Sequence, residues 1–578
     1  MLRSSLTLLL LPTILWGCAG VQKQVVTEDT PQEQEVVTEV APAPPERAFP
    51  EDSIYPLLVA EFALRRRHYD LALNNYMQQA DSLRDRGVSA HTTHLAQFMQ
   101  REPEALQAVA LWSELEPDNT EAQKTLATLL VRRGRTLEAM PHLAAVARSG
   151  RSAPFPILLT GFRQLSPGQR AQLVSGVNDL ALEFPDDTQL LLTQALIHEE
   201  LDQNRQALDK LDQLFETDPY QSQAVFLEAK LLLEAGDKQP FRRIEAALDA
   251  NPGDNRLRLQ YARLLTQNNI EEARGQFEIL SARAPQDADL LFSLALINRE
   301  TGDNNAAKAY LKQMLELNER TDEAHYYLGR IAEDDEQLPD AIANYRQVAG
   351  GRDFMSANNR IGRILIEQGQ LQQSKLHFEM TRKRYPDNAE QLFTLEAELF
   401  SQLDMLDQSE QVLNEGLAQF PASTSLLYSR SLIAEKQNDL VMMEADLREI
   451  LTKDPQNATA LNALGYSLAN RTDRYDEAYQ LIAKALELQP GEPAILDSMG
   501  WVLFRKGEYE QAIDYLQQAF DKFPDPEVAA HLGEALWANG DTEAAMTVWQ
   551  NALKQDPDHK VLLATLQRLG ISELLASP

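Results

Sequence analysis

The sequence predicts an all-α fold, an α-solenoid in which helix–turn–helix hairpins stack one on the next. Prolines recur at a fixed interval. Pro185, Pro219, Pro252 and Pro285 form one series and Pro386, Pro421, Pro455, Pro490, Pro524 and Pro557 another, with neighbours 33 to 35 residues apart. The gap from Pro117 to Pro185 is 68 residues, two such periods, and that from Pro285 to Pro386 is 101, close to three. Between the prolines, apolar residues recur at spacings of three and four, the period of a helix face. Ala, Leu, Glu and Gln, all good helix formers, are abundant, and cysteine occurs once in 578 residues. A chain of this length exceeds a single globular core, whereas a repeat array grows by adding units that bury their apolar faces on one another.

The chain opens on what reads as a secretory signal. Arg3 supplies a positive start, and Leu6 to Leu15 is an apolar run far shorter than the roughly 20 residues of a membrane-spanning helix. Leu15-Trp16-Gly17-Cys18 then resembles the lipobox of bacterial lipoproteins. Leu15, Gly17 and Cys18 fit that pattern, and Trp16 stands where a small residue is usual. The resemblance implies removal of residues 1–17 and a diacylglycerol on the sulfur of Cys18. Acyl chains at about 0.8 kcal/mol per buried CH2 anchor a chain stably once two or more are present. Ala19, where Asp would favour retention at the inner membrane, implies the outer membrane, facing the periplasm. A lone cysteine suits that oxidising compartment, where a second thiol invites mispairing. Residues 18–52, with Pro31, Pro42, Pro44, Pro45 and Pro50 among Glu, Gln, Thr and Val, read as a disordered, acidic and proline-rich tether.

From residue 53 on, the repeat pattern takes over. In residues 495 to 524, Met499-Gly500, Gly507, Tyr509, Ala512, Leu516, Ala519 and Pro524 fall at fixed offsets. Leu464-Gly465, Ala478, Ile482, Ala485 and Pro490 repeat them one unit earlier, and Leu532-Gly533, Gly540, Ala545, Trp549, Ala552 and Pro557 one unit later. Leu328-Gly329, Ala341 and Tyr345 mark another unit upstream. These positions and the period of 34 resemble the tetratricopeptide repeat, so the α-solenoid is expected to be of that kind. Gly or Ala lets the two helices of a hairpin approach closely, and proline ends the second helix by pushing its predecessor out of the helical region. Asp or Asn just past the proline is expected to cap the next helix: Asn119 after Pro117, Asn388 after Pro386, and Asp525 after Pro524.

Phased this way, up to fifteen units run from about residue 51 to 557. Residues 53–185 read as degenerate N-terminal helical repeats and 186–557 as the tetratricopeptide-repeat solenoid. Within the former, 152–185 lacks the small-residue signature and reads as an irregular helical pair joining two arms. Residues 558–578 are expected to supply a C-terminal capping helix.

The formal net charge of −33 argues against nucleic acid, whose phosphates need a basic footprint, and against broad adhesion to anionic membrane. No nucleophile elbow, Walker loop, dinucleotide-binding turn or paired-histidine zinc motif is present; the run starting at His198 has Asp202 where a second histidine would stand. His91 and His94 alone share a helix face, too few for a metal site. No enzyme activity, cofactor or metal is expected.

In the tetratricopeptide family the first helix of each hairpin lines a concave groove through its fifth, ninth and twelfth residues. In the last three units these are Asn462, Tyr466 and Ala469; Asp497, Trp501 and Phe504; Ala530, Glu534 and Trp537. Tyr466, Trp501, Phe504 and Trp537 thus either form an aromatic partner-binding patch or fill the gaps between hairpins. Farther up, Tyr326, Arg330, Asn359 and Arg363 hold equivalent places, the arginines orienting an acidic partner or pairing with neighbouring carboxylates. Signal, lipobox, tether and array together resemble the outer-membrane tetratricopeptide lipoproteins of Gram-negative bacteria. Among these, size and layout are most similar to the pseudomonad lipoproteins that partner the periplasmic carboxyl-terminal processing protease. That resemblance implies a non-enzymatic adaptor presenting peptidoglycan hydrolases to the protease. Two rivals stay open: an assembly scaffold for a secretin, pilus or exopolysaccharide exporter, and an enzyme whose catalytic residues match no known motif, for which His91 and His94 would be the residues to substitute.

Overall fold

The computed structural model describes residues 50–571, so the expected signal segment, Cys18, the tether to residue 49 and the last residues, 572–578, lie outside it. The described residues are α-helical apart from short 3-10 turns and connecting loops, and contain no strand. The chain divides into two compact units between Asp237 and Lys238.

In the first unit, antiparallel hairpins follow one another: Ile54–Arg65 with Tyr69–Leu83, Arg86–Phe98 with Glu102–Leu115, and Thr120–Arg132 with Thr136–Arg148. Residues 152–185 lie inside this unit. They hold two 3-10 turns, Phe155–Leu159 and Phe162–Gln164, and one regular helix, Pro167–Glu183, so the first helix of a pair is replaced by turns. Phe155, Leu158 and Phe162 are buried and plug the core that the missing helix would have filled. Thr188–Glu200 and Asn204–Thr217 restore the hairpin, and Ser222–Glu234 completes the unit.

In the second unit the hairpins run regularly from Asn255–Asn268 with Ile270–Arg283 to Pro526–Ala538 with Thr542–Gln555, and Lys560–Leu569 packs on the last of them. The repeat residues act as the pattern requires. A Cβ on Gly500 would lie 2.5 Å from Leu516 Cγ and 2.9 Å from the Ala512 carbonyl oxygen, so this close helix crossing has no room for a side chain. Gln489, Phe523 and Asp556, each before a proline, have φ between −144 and −133° and ψ between 73 and 92°, which ends the helix there. Asn119 caps its helix through the Glu121 and Ala122 amides, at 3.0 and 3.1 Å, and Asp525 through the Glu527 amide at 2.8 Å. Asn388 does not cap. Pro386–Asn388 is a 3-10 turn that leaves Asn388 at φ −99°, ψ 2°, where its side chain makes no bond to the helix amides.

Successive hairpins are also tied by ion pairs about one repeat apart, such as Arg474 with Glu444 at 2.7 Å and Lys506 with Asp476 at 2.7 Å. Each has at least one partner open to solvent and contributes about 1 kcal/mol or less. The binding between hairpins is therefore mainly apolar: one buried cluster runs unbroken from Leu427 to Ile571 and includes Trp549, which is fully buried.

Candidate functional site

The first helices of five consecutive hairpins in the second unit, with Ser409 and Leu413 of the second helix Leu406–Gln419 and the terminal helix Lys560–Leu569, line a cavity of ≈ 760 Å³. Glu398, Ser429, Tyr466, Trp501 and His531 each come from a different first helix, and Thr565 and Arg568 come from the terminal one. This is the placement expected when hairpins stack with their first helices on the inner side.

At the centre is an aromatic stack built around a charged pair. Trp501 lies on His531 with ring centroids 4.2 Å apart and an interplanar angle of 26°, and on Phe504 at 5.1 Å. Tyr466 approaches His531 from the other side at 6.1 Å. The Asp497 carboxylate holds His531 Nδ1 at 2.9 and 3.1 Å, across 34 residues of sequence. Burial pulls the imidazole pKa down, but Asp497, with Glu527 and Glu534 behind it, outweighs burial and leaves it above its ordinary value. The Tyr466 hydroxyl donates to Glu527 at 3.1 Å, and burial with that carboxylate pushes its phenol well above the usual range.

Around the stack, most polar groups are satisfied within the protein. Glu435 accepts from the Ser467 hydroxyl at 3.1 Å, Lys436 donates to Ser401 at 2.8 Å, and Arg568 pairs with Glu534. Two groups lining the cavity stand out. Trp501 is only 6% exposed, yet its indole N–H has no acceptor. Arg471 is exposed and makes no ion pair or hydrogen bond through its guanidinium. A buried donor without an acceptor costs on the order of 1–3 kcal/mol.

The residues expected from sequence fall into three groups. Tyr466 and Trp501 line the cavity. Phe504 and Trp537 do not: Phe504 is tucked behind Trp501 and tilts on Tyr509 at 5.7 Å, and Trp537 tilts on Trp549 at 6.0 Å. Tyr326, Arg330, Asn359 and Arg363 sit on the earlier first helices Thr321–Asp334 and Phe354–Glu367 and are not among the cavity residues. Tyr326 is buried against Tyr327 and Tyr345, and Arg363 donates to Gln402 at 2.7 Å. Arg330 makes no ion pair and leaves its Nε buried without a partner. The sequence reading missed His531, which lies one residue, about 100° of helix, past the groove-facing Ala530. His531 still enters the cavity, and so does the terminal helix through Val561, Thr565 and Arg568.

Among the described residues no group of three or more His, Cys, Asp or Glu side chains is placed to hold a metal ion, and no helix is long and apolar enough to cross a membrane. What the cavity offers is a surface of stacked rings and an unpaired guanidinium.

An α-solenoid with a groove lined by first helices defines a protein–protein interaction scaffold. Comparison with known proteins agrees, and the chain belongs to the tetratricopeptide-repeat family. Tetratricopeptide-repeat profiles match residues 262–304, 299–355 and 498–560, residues 456–525, and residues 360–388. The TPR repeat-containing protein PA4667 of Pseudomonas aeruginosa is 38% identical over 541 residues, 92% of this chain and 90% of that protein. Human tetratricopeptide repeat protein 7A is 29% identical over 132 residues, 23% of this chain and 15% of its own length. Among solved structures, yeast Tom70 aligns over 91% of this chain and 96% of its own, at 15% identity and a TM-score of 0.29.

Proposed function

We propose that the chain is a non-enzymatic adaptor of the periplasm, anchored by acyl groups on Cys18 to the outer membrane. It binds a carboxyl-terminal processing protease and presents substrates such as peptidoglycan hydrolases to it. The signal segment, the Leu15 to Cys18 pattern and Ala19 support the anchor and its membrane. The observation that supports binding most directly is the cavity of the second unit, whose wall carries Trp501, Tyr466 and the unpaired guanidinium of Arg471. An extended segment of a partner lays its side chains against Trp501 and Tyr466 while an acidic group meets Arg471.

The test is purification of the tagged, lipidated protein from gently solubilised envelopes, with partners identified by mass spectrometry. The reading predicts the protease and cell-wall hydrolases, no turnover by the purified chain alone, and faster cleavage when it is added to the protease. Arg471→Gln, which removes the unpaired guanidinium, is expected to weaken capture about tenfold. A secretin or polysaccharide-export channel recovered without the protease would overturn the adaptor in favour of an assembly scaffold.

A further inference from the structure

The first helix, Ile54–Arg65, has one face buried and the other open. Ala60 and Ala63 pack toward Tyr69–Leu83, where Ala72, Leu73 and Tyr76 receive them. On the opposite side Ile54, Leu58 and Phe62 follow at intervals of four, with Tyr55 beside them, and these four are between 51 and 76% exposed. Intervals of four keep the residues on one stripe, so this is a continuous apolar strip. It runs into Arg65-Arg66-Arg67-His68, all exposed, and none of these side chains makes a hydrogen bond or ion pair. Between Ile54 and His68 there is one acid, Glu61, against three arginines; Glu61 already accepts a hydrogen bond from the Tyr76 hydroxyl at 2.6 Å. In a chain of net charge −33, where many arginines pair with carboxylates about one repeat away, a run of three unpaired ones beside exposed apolar side chains stands apart.

We propose that this face of the first helix lies on an anionic phospholipid surface. Phe62, Leu58, Ile54 and Tyr55 enter the headgroup–acyl boundary, and Arg65, Arg66 and Arg67 bind lipid phosphates. Charges farther than about 8–10 Å are screened at physiological salt, so the surface meets Arg65, Arg66 and Arg67 at one end of the strip and the exposed Asp52 at the other, not the acidity of the whole chain. Each arginine near an anionic surface adds attraction, and the apolar strip adds burial, the two components of interfacial helix binding. The helix starts 36 residues after Cys18 (54 − 18), so the acyl anchor proposed above keeps it near a bilayer. On that reading the strip fixes how the first unit leaves the membrane.

The test uses the chain from residue 19, which carries no acyl group, with vesicles of equal parts phosphatidylethanolamine and phosphatidylglycerol, and with phosphatidylcholine vesicles as the neutral control. Co-sedimentation with the anionic vesicles only is expected. The Leu58→Gln/Phe62→Gln and Arg65→Gln/Arg66→Gln/Arg67→Gln variants are each expected to lower affinity at least about tenfold with unchanged circular dichroism. Arg471→Gln is expected to leave vesicle binding as it was, which separates this surface from the cavity. Absence of vesicle binding, or equal binding by the variants, would overturn the proposal. So would loss of a co-purifying protein by these variants without vesicle binding, which would give the face to a protein partner. The anchor is read independently from the intact mass of the lipidated protein, so either reading can fail alone.

Discussion

Replacing Asp497 with Asn tests the charged pair that holds the cavity wall together. His531 is buried and its Nδ1 meets both Asp497 oxygens, at 2.9 and 3.1 Å. The groups facing the imidazole are Asp497 on the preceding first helix, Glu527 and Glu534 on its own, Tyr466 two hairpins back, and Arg568, which pairs with Glu534. A histidine whose folded pKa is raised adds stability that is fully present below its unfolded value of 6.5 and is lost as pH rises through the folded value. Breaking a buried pair by removing one partner costs about 3–5 kcal/mol. Because His531 can shed its proton in the variant, the low end, about 3 kcal/mol, is expected below pH 6.5. Well above the folded pKa the imidazole is neutral in both proteins, and the cost falls to that of a changed hydrogen bond, about 1 kcal/mol. The assay is urea unfolding followed by tryptophan fluorescence in a Trp112→Phe background. The remaining described tryptophans, Trp501, Trp537 and Trp549, all lie in the last two hairpins, so the signal is local. A loss of stability in Asp497→Asn of the same size on both sides of the transition would refute the reasoning, as would no loss at all.

Gly500→Val is expected to destabilise the same hairpins by about 1–3 kcal/mol in that assay, since even a Cβ meets Leu516 and the Ala512 carbonyl. Trp549→Ala empties a fully buried site and is expected to cost about 3–5 kcal/mol, enough to unfold the last hairpin at ambient temperature by circular dichroism. His377, bonded to the Asn358 side chain at 2.9 Å, has its pKa lowered to about 4 by burial and by Arg346 and Arg382. Its neutral form is the folded one, so stability is lost as pH falls from 6.5 toward 4; His377→Gln is expected to flatten that loss in acid titrations read by circular dichroism.

The solenoid is legible because its rules are local. A proline fixes the helix end before it, a glycine such as Gly500 fixes the crossing, and both act within one hairpin. The same reasoning places Tyr466 and Trp501 on the inner helices. It does not place Phe504 and Trp537, which share the stripe but turn behind their neighbours, because a residue's exposure depends on the hairpin stacked above it. Asp497 and His531 meet across 34 residues through the register between two hairpins, and no local motif encodes that register. Arg568 and Thr565 reach the cavity only because the terminal helix folds over the last hairpin. The expected cap at Asn388 fails for a local reason that the sequence masks: the same Pro-Asp-Asn letters that precede a capped helix at Asn119 form a 3-10 turn at Pro386.

The central claim is that the cavity of the second unit is where partners bind. A photo-cross-linking amino acid at Leu432, which lines it, and another at Val441, 83% exposed on the second helix of the same hairpin, test this in intact cells. The account predicts covalent adducts with a processing protease or a cell-wall hydrolase from Leu432 and none from Val441. Adducts from Val441 with a silent Leu432 would place binding on the outer surface and contradict it.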